Sequence, residues 1–188
     1  MTREELKKLL AENRFISAIK DEVGLQKCLE SDCKVVFILY GTVMNICQIV
    51  KKVKQADKIA FVHIDLIEGL SSKDVAVEFI SENTGADGII TTKQSLVKCA
   101  ASHGLLTVQR FFLIDSLAFS NLKKQLNSSS MDVVEVLPAC CVKTISQIVK
   151  ITDLPVIASG MIQDKDDVSS ALKAGATAVS GTNFNILE

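Results

Sequence analysis

The chain has 188 residues, of which 48% are hydrophobic and 23% charged, and its formal net charge is −1 at pH 7. This length predicts a single domain over residues 1–188, and so apolar a chain with so little net charge is not intrinsically disordered. The near-zero charge excludes a strongly basic protein that attracts nucleic acid through its overall field.

No apolar run approaches the roughly 18 residues that a membrane-spanning helix needs. The first ten residues, MTREELKKLL, mix acidic and basic side chains and lack the continuous apolar region of a secretory signal. We therefore expect a cytoplasmic protein with no membrane partner.

Short apolar runs alternate with longer amphipathic segments along the chain. The runs predict eight strands, at residues 16–19, 35–39, 59–64, 88–91, 106–111, 133–137, 156–158 and 178–179. The segments between them predict seven helices, near residues 22–30, 44–54, 72–83, 94–102, 116–126, 142–151 and 166–174. Strands that alternate with helices indicate an α/β fold with a parallel sheet.

Eight strand–helix units favour a small TIM-barrel-like (β/α)8 barrel over the alternative, an open doubly wound sheet. Residues 181–188 are too few for a full eighth helix, so we expect that helix to be truncated or missing. Apolar surface would then lie open between the first and last helices. A homo-oligomer contact is one way to cover it.

The cysteines show neither a CxxC spacing nor histidines at zinc-ligand spacing. We expect reduced thiols that pack as small apolar side chains, with no metal and no cofactor. Cys140 and Cys141 are adjacent, and a redox or metal role is the alternative for this pair.

The strongest functional signal lies in the last quarter of the chain, where two predicted strands end in glycine-containing turns. In barrels the loops after strands 7 and 8 often form a phosphate site, because glycine lets backbone N–H groups approach phosphate oxygens. A short helix begun by Thr182 or Asn183 would add its positive end. The alternative is that these glycines only make turns. The predicted phosphate-binding residues are Ser159, Gly160, Gly181, Thr182 and Asn183.

Polar side chains also lie at the other predicted strand ends. Lys20 follows strand 1, His63 and Asp65 lie two apart on strand 3 and so share a face, Arg110 lies on strand 5 and Glu135 on strand 6. Charged side chains inside strands are costly unless they are paired or lie at a barrel mouth. They therefore indicate either a ligand site at the carboxyl-terminal face or structural ion pairs.

An enzyme is a second interpretation of the same residues. Lys20 would be a Schiff-base nucleophile, or His63 an acid–base group, acting on a phosphorylated sugar. The spacing alone identifies no nucleophile–base pair.

Five strings point together to one family: VHIDLIEGL (62–70), DGIITTK (87–93), VQRFFLIDS (108–116), EVLPA (135–139) and the tail PVIASGMI…ALKAGATAVS. With them the chain resembles the glycerol-3-phosphate-responsive antiterminators, also called glycerol uptake operon antiterminators, over about residues 10–185. Three sites, with four residues in all, depart from the family pattern. Ser159-Gly160 replaces Gly-Gly, Lys93 replaces Arg, and Cys140-Cys141 replaces glycine and an apolar residue.

The resemblance implies a TIM-barrel-like regulator of the bacterial cytoplasm. Such a protein binds glycerol 3-phosphate as its effector and acts on the leader mRNA of glycerol-utilisation genes, so that transcription reads past a terminator. The phosphate would lie on Gly160, Gly181, Thr182 and Asn183. The matched residues His63, Asp65, Arg110 and Glu135 would contact the glycerol hydroxyls or shape the mouth.

RNA contact would require a locally basic surface, because the overall charge gives little attraction. The candidate RNA-binding residues are two lysine clusters, Lys51, Lys52 and Lys54, and Lys123 and Lys124. A solvated helix surface is the alternative for each cluster. Two other functions stay open: a small phosphosugar enzyme of aldolase or isomerase type, and a barrel with a vestigial site that only binds a partner.

Overall fold

Eight parallel strands close into a barrel in which each strand pairs with its neighbours in chain order and the first pairs with the last. The computed structural model describes residues 1–127 and 130–186, apart from the side chain of Asn185. The strands are β1 Phe15–Ile19, β2 Val35–Ile38, β3 Ile59–His63, β4 Gly88–Thr91, β5 Leu106–Phe112, β6 Val133–Leu137, β7 Val156–Ser159 and β8 Ala178–Gly181. The predicted TIM-barrel-like fold is confirmed, and the open-sheet alternative is wrong.

Seven α-helices connect the strands and cover the outside of the barrel. They are α2 Glu22–Glu30, α3 Ile46–Gln55, α4 Asp74–Asn83, α5 Gln94–Ser102, α6 Ser116–Leu126, α7 Val142–Val149 and α8 Lys165–Lys173. Asp21, Asp115 and Asp164 begin α2, α6 and α8, and each carboxylate accepts a backbone N–H three residues on. These caps satisfy donors that the first helical turn would otherwise leave unpaired.

The segment after β8 forms a single 3₁₀ turn, Phe184–Ile186. No α-helix follows β8 within residues 182–186. The short helix expected after Thr182 or Asn183 is a single 3₁₀ turn that starts at Phe184, directly after Asn183, and three residues supply little helix dipole. No helix in the described part of the chain is long and apolar enough to cross a membrane.

An additional helix that the sequence analysis does not predict, α1 (Arg3–Glu12), precedes β1. Leu6 and Leu10 lie one turn apart on α1 and are buried in the cluster that fills the barrel interior. Arg3 Nε donates to Asp132 Oδ1 at 2.8 Å, beside the start of β6. The helix therefore closes the amino-terminal end of the barrel.

The interior changes from apolar to polar along the barrel axis. Near α1 it is filled by apolar side chains, among which the rings of Phe37 and Phe61 meet edge to face with centroids 5.8 Å apart. Side chains two positions apart on a strand share a face, so the polar inward positions follow directly toward the carboxyl ends. They are His63, Arg110, Glu135, Ser159 and Ser180, and all are buried.

Candidate functional site

A buried ion pair forms the floor of the barrel mouth. The register of β5 and β6 places Arg110 opposite Glu135. Arg110 donates from Nε to Glu135 Oε2 at 2.7 Å and from Nη2 to Oε1 at 3.1 Å. Ser159 Oγ donates to the same Oε1 at 2.6 Å and lies 2.6 Å from Ser180 Oγ. Each charge thus has its opposite charge and further hydrogen bonds, which a buried pair needs to be tolerated.

His63 lies beside this network at the end of β3. Its side chain is buried, and Nδ1 has no hydrogen-bond partner among the described residues. Burial and, to a smaller extent, the positive charge of Arg110 lower the pKa of His63 to about 4, while Glu135 and Asp65 act in the opposite sense. The imidazole is therefore neutral at pH 7 and carries one ring N–H and one acceptor nitrogen.

Above the ion pair lies a cavity of about 150 Å³ that opens at the carboxyl ends of the strands. Apolar walls come from Leu39 on one side and Leu137 on the other. The full lining is Ala18, Leu39, Arg110, Leu137, Ser159, Gly160, Met161, Ile162, Ser180, Gly181 and Thr182. Four of the five predicted phosphate-binding residues therefore line one cavity.

Three lining residues in the turns after β7 and β8 have backbone N–H groups without a partner in the described chain. Gly160 and Met161 both have left-handed φ angles, +74° and +60°. Such a φ is unusual for a methionine and marks local backbone strain of the kind found at ligand sites. The N–H groups of Gly160, Met161 and Thr182 make no hydrogen bond to any other described residue. These donors are available to an anion.

A second cavity of about 180 Å³ adjoins the first and shares Ala18 and Thr182 with it. Lys20 and Asn183 line it together, so the structure brings the end of β1 to the loop after β8. Lys20 is exposed and forms no ion pair within the described part of the chain. The site thus combines free amides, an unpaired ammonium group and a charged floor.

Asp65 does not share a strand face with His63, so this prediction is wrong. β3 ends at His63, and Asp65 lies in a 3₁₀ turn, Ile64–Leu66. Its carboxylate accepts hydrogen bonds from Thr92 N at 2.8 Å and from the Thr91 and Thr92 hydroxyls at 3.0 and 3.1 Å. Asp65 therefore fastens the end of β3 to the end of β4.

The lysine clusters proposed for RNA contact are partly neutralised by neighbouring side chains. On α3, Lys52 Nζ lies 2.6 Å from Glu22 Oε1, and Lys54 Nζ lies 2.7 Å from Asp87 Oδ2, while Lys51 is exposed. On α6, Lys123 stands over the Phe119 ring, 4.9 Å from its centroid. Lys124, the remaining candidate, also lies on α6 and has an interaction of its own.

Sequence reasoning missed Ser180 and the apolar lining of the mouth. Ser180 lies two positions after Ala178 on β8, and this alternation could have identified it as an inward residue. All six cysteines are free thiols, and Cys140 is exposed. Among residues 1–127 and 130–186 no group of three or more His, Cys, Asp or Glu side chains could hold a metal ion.

The family model of the glycerol-3-phosphate responsive antiterminators matches residues 15–186. The Escherichia coli protein YgcP is 41% identical over 178 residues, which cover 95% of this chain and 93% of YgcP. The glycerol uptake operon antiterminator regulatory protein of Listeria monocytogenes superposes with a TM-score of 0.88 at 29% identity, covering 92% of this chain and 93% of that one. A Thermotoga maritima protein, described as glycerol uptake operon antiterminator-related, superposes with a TM-score of 0.79 at 32% identity. The match covers 90% of this chain and 94% of that one.

More distant barrels share the fold alone. The deoxyribose phosphate aldolase of Aeropyrum pernix superposes with a TM-score of 0.70 at 16% identity, covering 94% of this chain and 87% of the aldolase. The match of the family model and the identity to YgcP carry the assignment. The chain belongs to the glycerol-3-phosphate responsive antiterminator family.

Proposed function

We propose that this chain binds glycerol 3-phosphate in the barrel mouth and, in that state, binds the leader mRNA of glycerol-utilisation genes so that transcription passes a terminator. Family membership supports the effector and the regulatory role. One observation carries the ligand proposal. Backbone N–H groups without partners line the cavity, and the buried Arg110–Glu135 ion pair lies beneath them. One part of the cavity suits an anion and the other suits hydroxyl groups.

The phosphate would lie at the rim of the mouth. There the N–H groups of Gly160, Met161 and Thr182 supply directed donors, and Lys20 in the adjoining cavity supplies positive charge. Gly181, the last residue of β8, and Asn183 flank Thr182 on either side. Amide donors without protein partners lose no internal hydrogen bond when the ligand arrives, so their full interaction is available to it.

The glycerol hydroxyls would point toward the floor. Glu135 can accept from hydroxyl groups and Arg110 can donate to them, while Leu39 and Leu137 provide apolar walls for the carbon chain. A phosphate in the same place would meet the Glu135 carboxylate and be repelled. This charge arrangement gives the ligand one orientation, with the phosphate outward and the hydroxyls inward.

The RNA step requires that the ligand favour one conformational state. Glycerol 3-phosphate shifts the equilibrium only by the difference between its affinities for the RNA-competent and RNA-incompetent states. With a net charge of −1, the chain must use a local surface for the RNA backbone. Such a regulator would act in the cytoplasm, where nascent transcripts are made.

A matched pair of glycine substitutions tests the ligand site by calorimetric titration. Gly160 and Gly104 have nearly the same left-handed φ, +74° and +73°, so alanine imposes the same backbone strain at each. At Gly160 the new methyl would lie 3.2 Å from Leu137 Cδ2 at the mouth, whereas at Gly104 nothing lies within 4 Å. We expect Gly160→Ala to weaken glycerol 3-phosphate binding at least about tenfold and Gly104→Ala to leave the affinity unchanged.

The RNA step is tested by fluorescence anisotropy with a labelled leader transcript of the glycerol-uptake operon, with and without glycerol 3-phosphate. We expect tight binding only with the effector. No binding at low salt with saturating effector would contradict the regulatory proposal. The enzyme alternative predicts turnover of a triose phosphate that Lys20→Ala or His63→Ala abolishes, whereas the regulator predicts no turnover by the wild type.

A further inference from the structure

A shallow groove of about 740 Å³ runs between α7 and α8 on the outside of the barrel. Its lining residues include three lysines and no Asp or Glu, and Val142 and Ala174 add apolar surface. The lining residues that carry hydrogen-bond donors are Lys143, Ser146, Gln147, Lys150, Ser170 and Lys173. Because this groove lies away from the mouth, it is separate from the effector site.

Two lysines of the groove lie in line along α7, Lys143 within the helix and Lys150 at the residue that follows its end. Lys143 and Lys150 are seven residues apart, so they lie on nearly the same helix face about 10 Å apart along the axis. Lys173 lines the groove from α8. Residues 136–152, which include all of α7, contain no Asp or Glu. No acidic side chain on α7 therefore offsets the positive charge of this surface.

These three lysines are exposed and available to a ligand. None of them forms an ion pair or a side-chain hydrogen bond with another residue in the described part of the chain. The α3 lysines differ, because Lys52 and Lys54 are held by Glu22 and Asp87. An unpaired lysine binds a phosphate without first breaking an internal ion pair, so the groove is the better phosphate-binding surface.

Another cavity, whose lining includes Asp115 and no lysine or arginine, lies next to the groove on the side of α6. Gln147 lines both the groove and the next cavity along the barrel, which also contains Phe119. Lys123 stands over the Phe119 ring. Lys123, from the second predicted lysine cluster, thus contacts a residue of this adjoining cavity rather than the groove itself.

We propose that the groove lined by Lys143, Lys150 and Lys173 binds the phosphate backbone of the leader RNA. This inference rests on the proposed function and adds the surface on which it would operate. The serine hydroxyls and the Gln147 amide can both donate and accept, as contacts to phosphate and ribose 2′-hydroxyl require. A flexible polyanion can adjust its phosphates to a row of spaced ammonium groups. An acidic protein surface would need a fixed shape complementary to the groove, so RNA is the better occupant.

The test compares two triple variants that change the net charge equally, from −1 to −4. The groove variant carries Lys143→Gln, Lys150→Gln and Lys173→Gln. The control carries Lys34→Gln, Lys73→Gln and Lys98→Gln, three exposed lysines outside the groove that have no ion pair in the described part of the chain. Binding of the labelled leader transcript is measured with saturating glycerol 3-phosphate over a range of salt concentrations. Calorimetric titration of glycerol 3-phosphate shows whether each variant keeps its effector site.

Loss of three phosphate contacts lowers the slope of log K against log salt by about 2, at roughly 0.7 per contact with a single strand. The same three contacts correspond to a loss of about 100-fold in affinity at 0.1 M salt. We expect both changes in the groove variant, neither in the control, and unchanged effector affinity in both.

Three results would overturn the inference. RNA binding by the groove variant equal to that of the wild type would leave the proposed function standing and reject this surface. Equal losses in both variants would show a general charge effect and also reject the groove. If the wild type binds glycerol 3-phosphate but no leader RNA, the proposed function and the groove fall together, and an acidic protein partner becomes the remaining occupant to test.

Discussion

Arg110 and Glu135 face each other inside the barrel and share two hydrogen bonds, of 2.7 and 3.1 Å. Both side chains are buried, so each charge depends on the other for its compensation. The pair therefore affects two properties at once. It supports the stability of the barrel, and it provides the donor and the acceptor at the floor of the proposed effector site.

Removing one partner of this pair should destabilise the protein strongly. Glu135→Leu leaves the Arg110 guanidinium buried without an opposite charge, for which we expect a loss of about 3–5 kcal/mol in the free energy of unfolding. Urea denaturation measures this loss in the free energy of unfolding. Lys8→Ala is the control, because Lys8 and Glu12 form an exposed pair at 3.9 Å that contributes little. An equally small effect of both substitutions would contradict the role of the buried pair.

Stability should fall at acid pH because of His63. Its pKa is about 4 in the folded state, whereas the unfolded imidazole titrates near 6.5. Between these values the unfolded chain binds more protons, so the free energy of unfolding rises with pH. The contribution of His63 is complete above pH 6.5 and is lost as the pH falls to 4, by about 3 kcal/mol.

Urea denaturation across pH 4–7 checks this dependence. His63→Gln should flatten the slope relative to the wild type, whatever it does to stability at pH 7. His103→Gln, at an exposed histidine, should keep the wild-type slope. Identical slopes in all three proteins would show that His63 does not titrate as the burial and the Arg110 charge require.

The leucines of α1 should contribute to the barrel core. Leu10→Ala removes a buried side chain from the interior cluster, and we expect a loss of about 2–5 kcal/mol in the free energy of unfolding. Lys7→Ala, on the exposed side of the same helix, should change stability far less. If Leu10→Ala behaves like Lys7→Ala, α1 does not close the barrel.

The barrel interior leaves no room for a side chain at Gly88. A Cβ there would collide with the Leu106 carbonyl oxygen and the Phe61 ring. We expect Gly88→Ala to cost about 1–3 kcal/mol or more, as overpacking of a filled core does. Gly85→Ala is the control, because only Lys54 Cγ, at 3.8 Å, lies near its new methyl. Thermal unfolding that is unchanged in Gly88→Ala would contradict the packing.

The strands were predictable because each is a short apolar run, as at β2 and β7, and local pattern decides such elements. Helix α1 was not predictable, because its sequence REELKKLLAE is mostly polar. Its two buried leucines gain packing partners only when the barrel closes beneath them. Asp65 was misplaced because the end of β3 is set by hydrogen bonds from Thr91 and Thr92, at the end of β4, rather than by its own sequence.

The candidate site was predictable in its glycine turns but not in its pairing. Gly160 and Thr182 follow strands 7 and 8, and the barrel brings such loops together. The pair of Arg110 with Glu135 depends on strand register, and that of Lys54 with Asp87 depends on contact between distant elements. Spacing along the chain carries neither piece of information.

The most direct test of the effector proposal is the free energy of unfolding measured with glycerol 3-phosphate, inorganic phosphate or glycerol. A ligand at 100 times its Kd should raise it by about 2.7 kcal/mol. We predict this stabilisation with glycerol 3-phosphate and much less with either fragment, because only the whole ligand reaches both the rim amides and the Arg110–Glu135 floor. No stabilisation, or an equal one by phosphate alone, would contradict the proposed site and its effector.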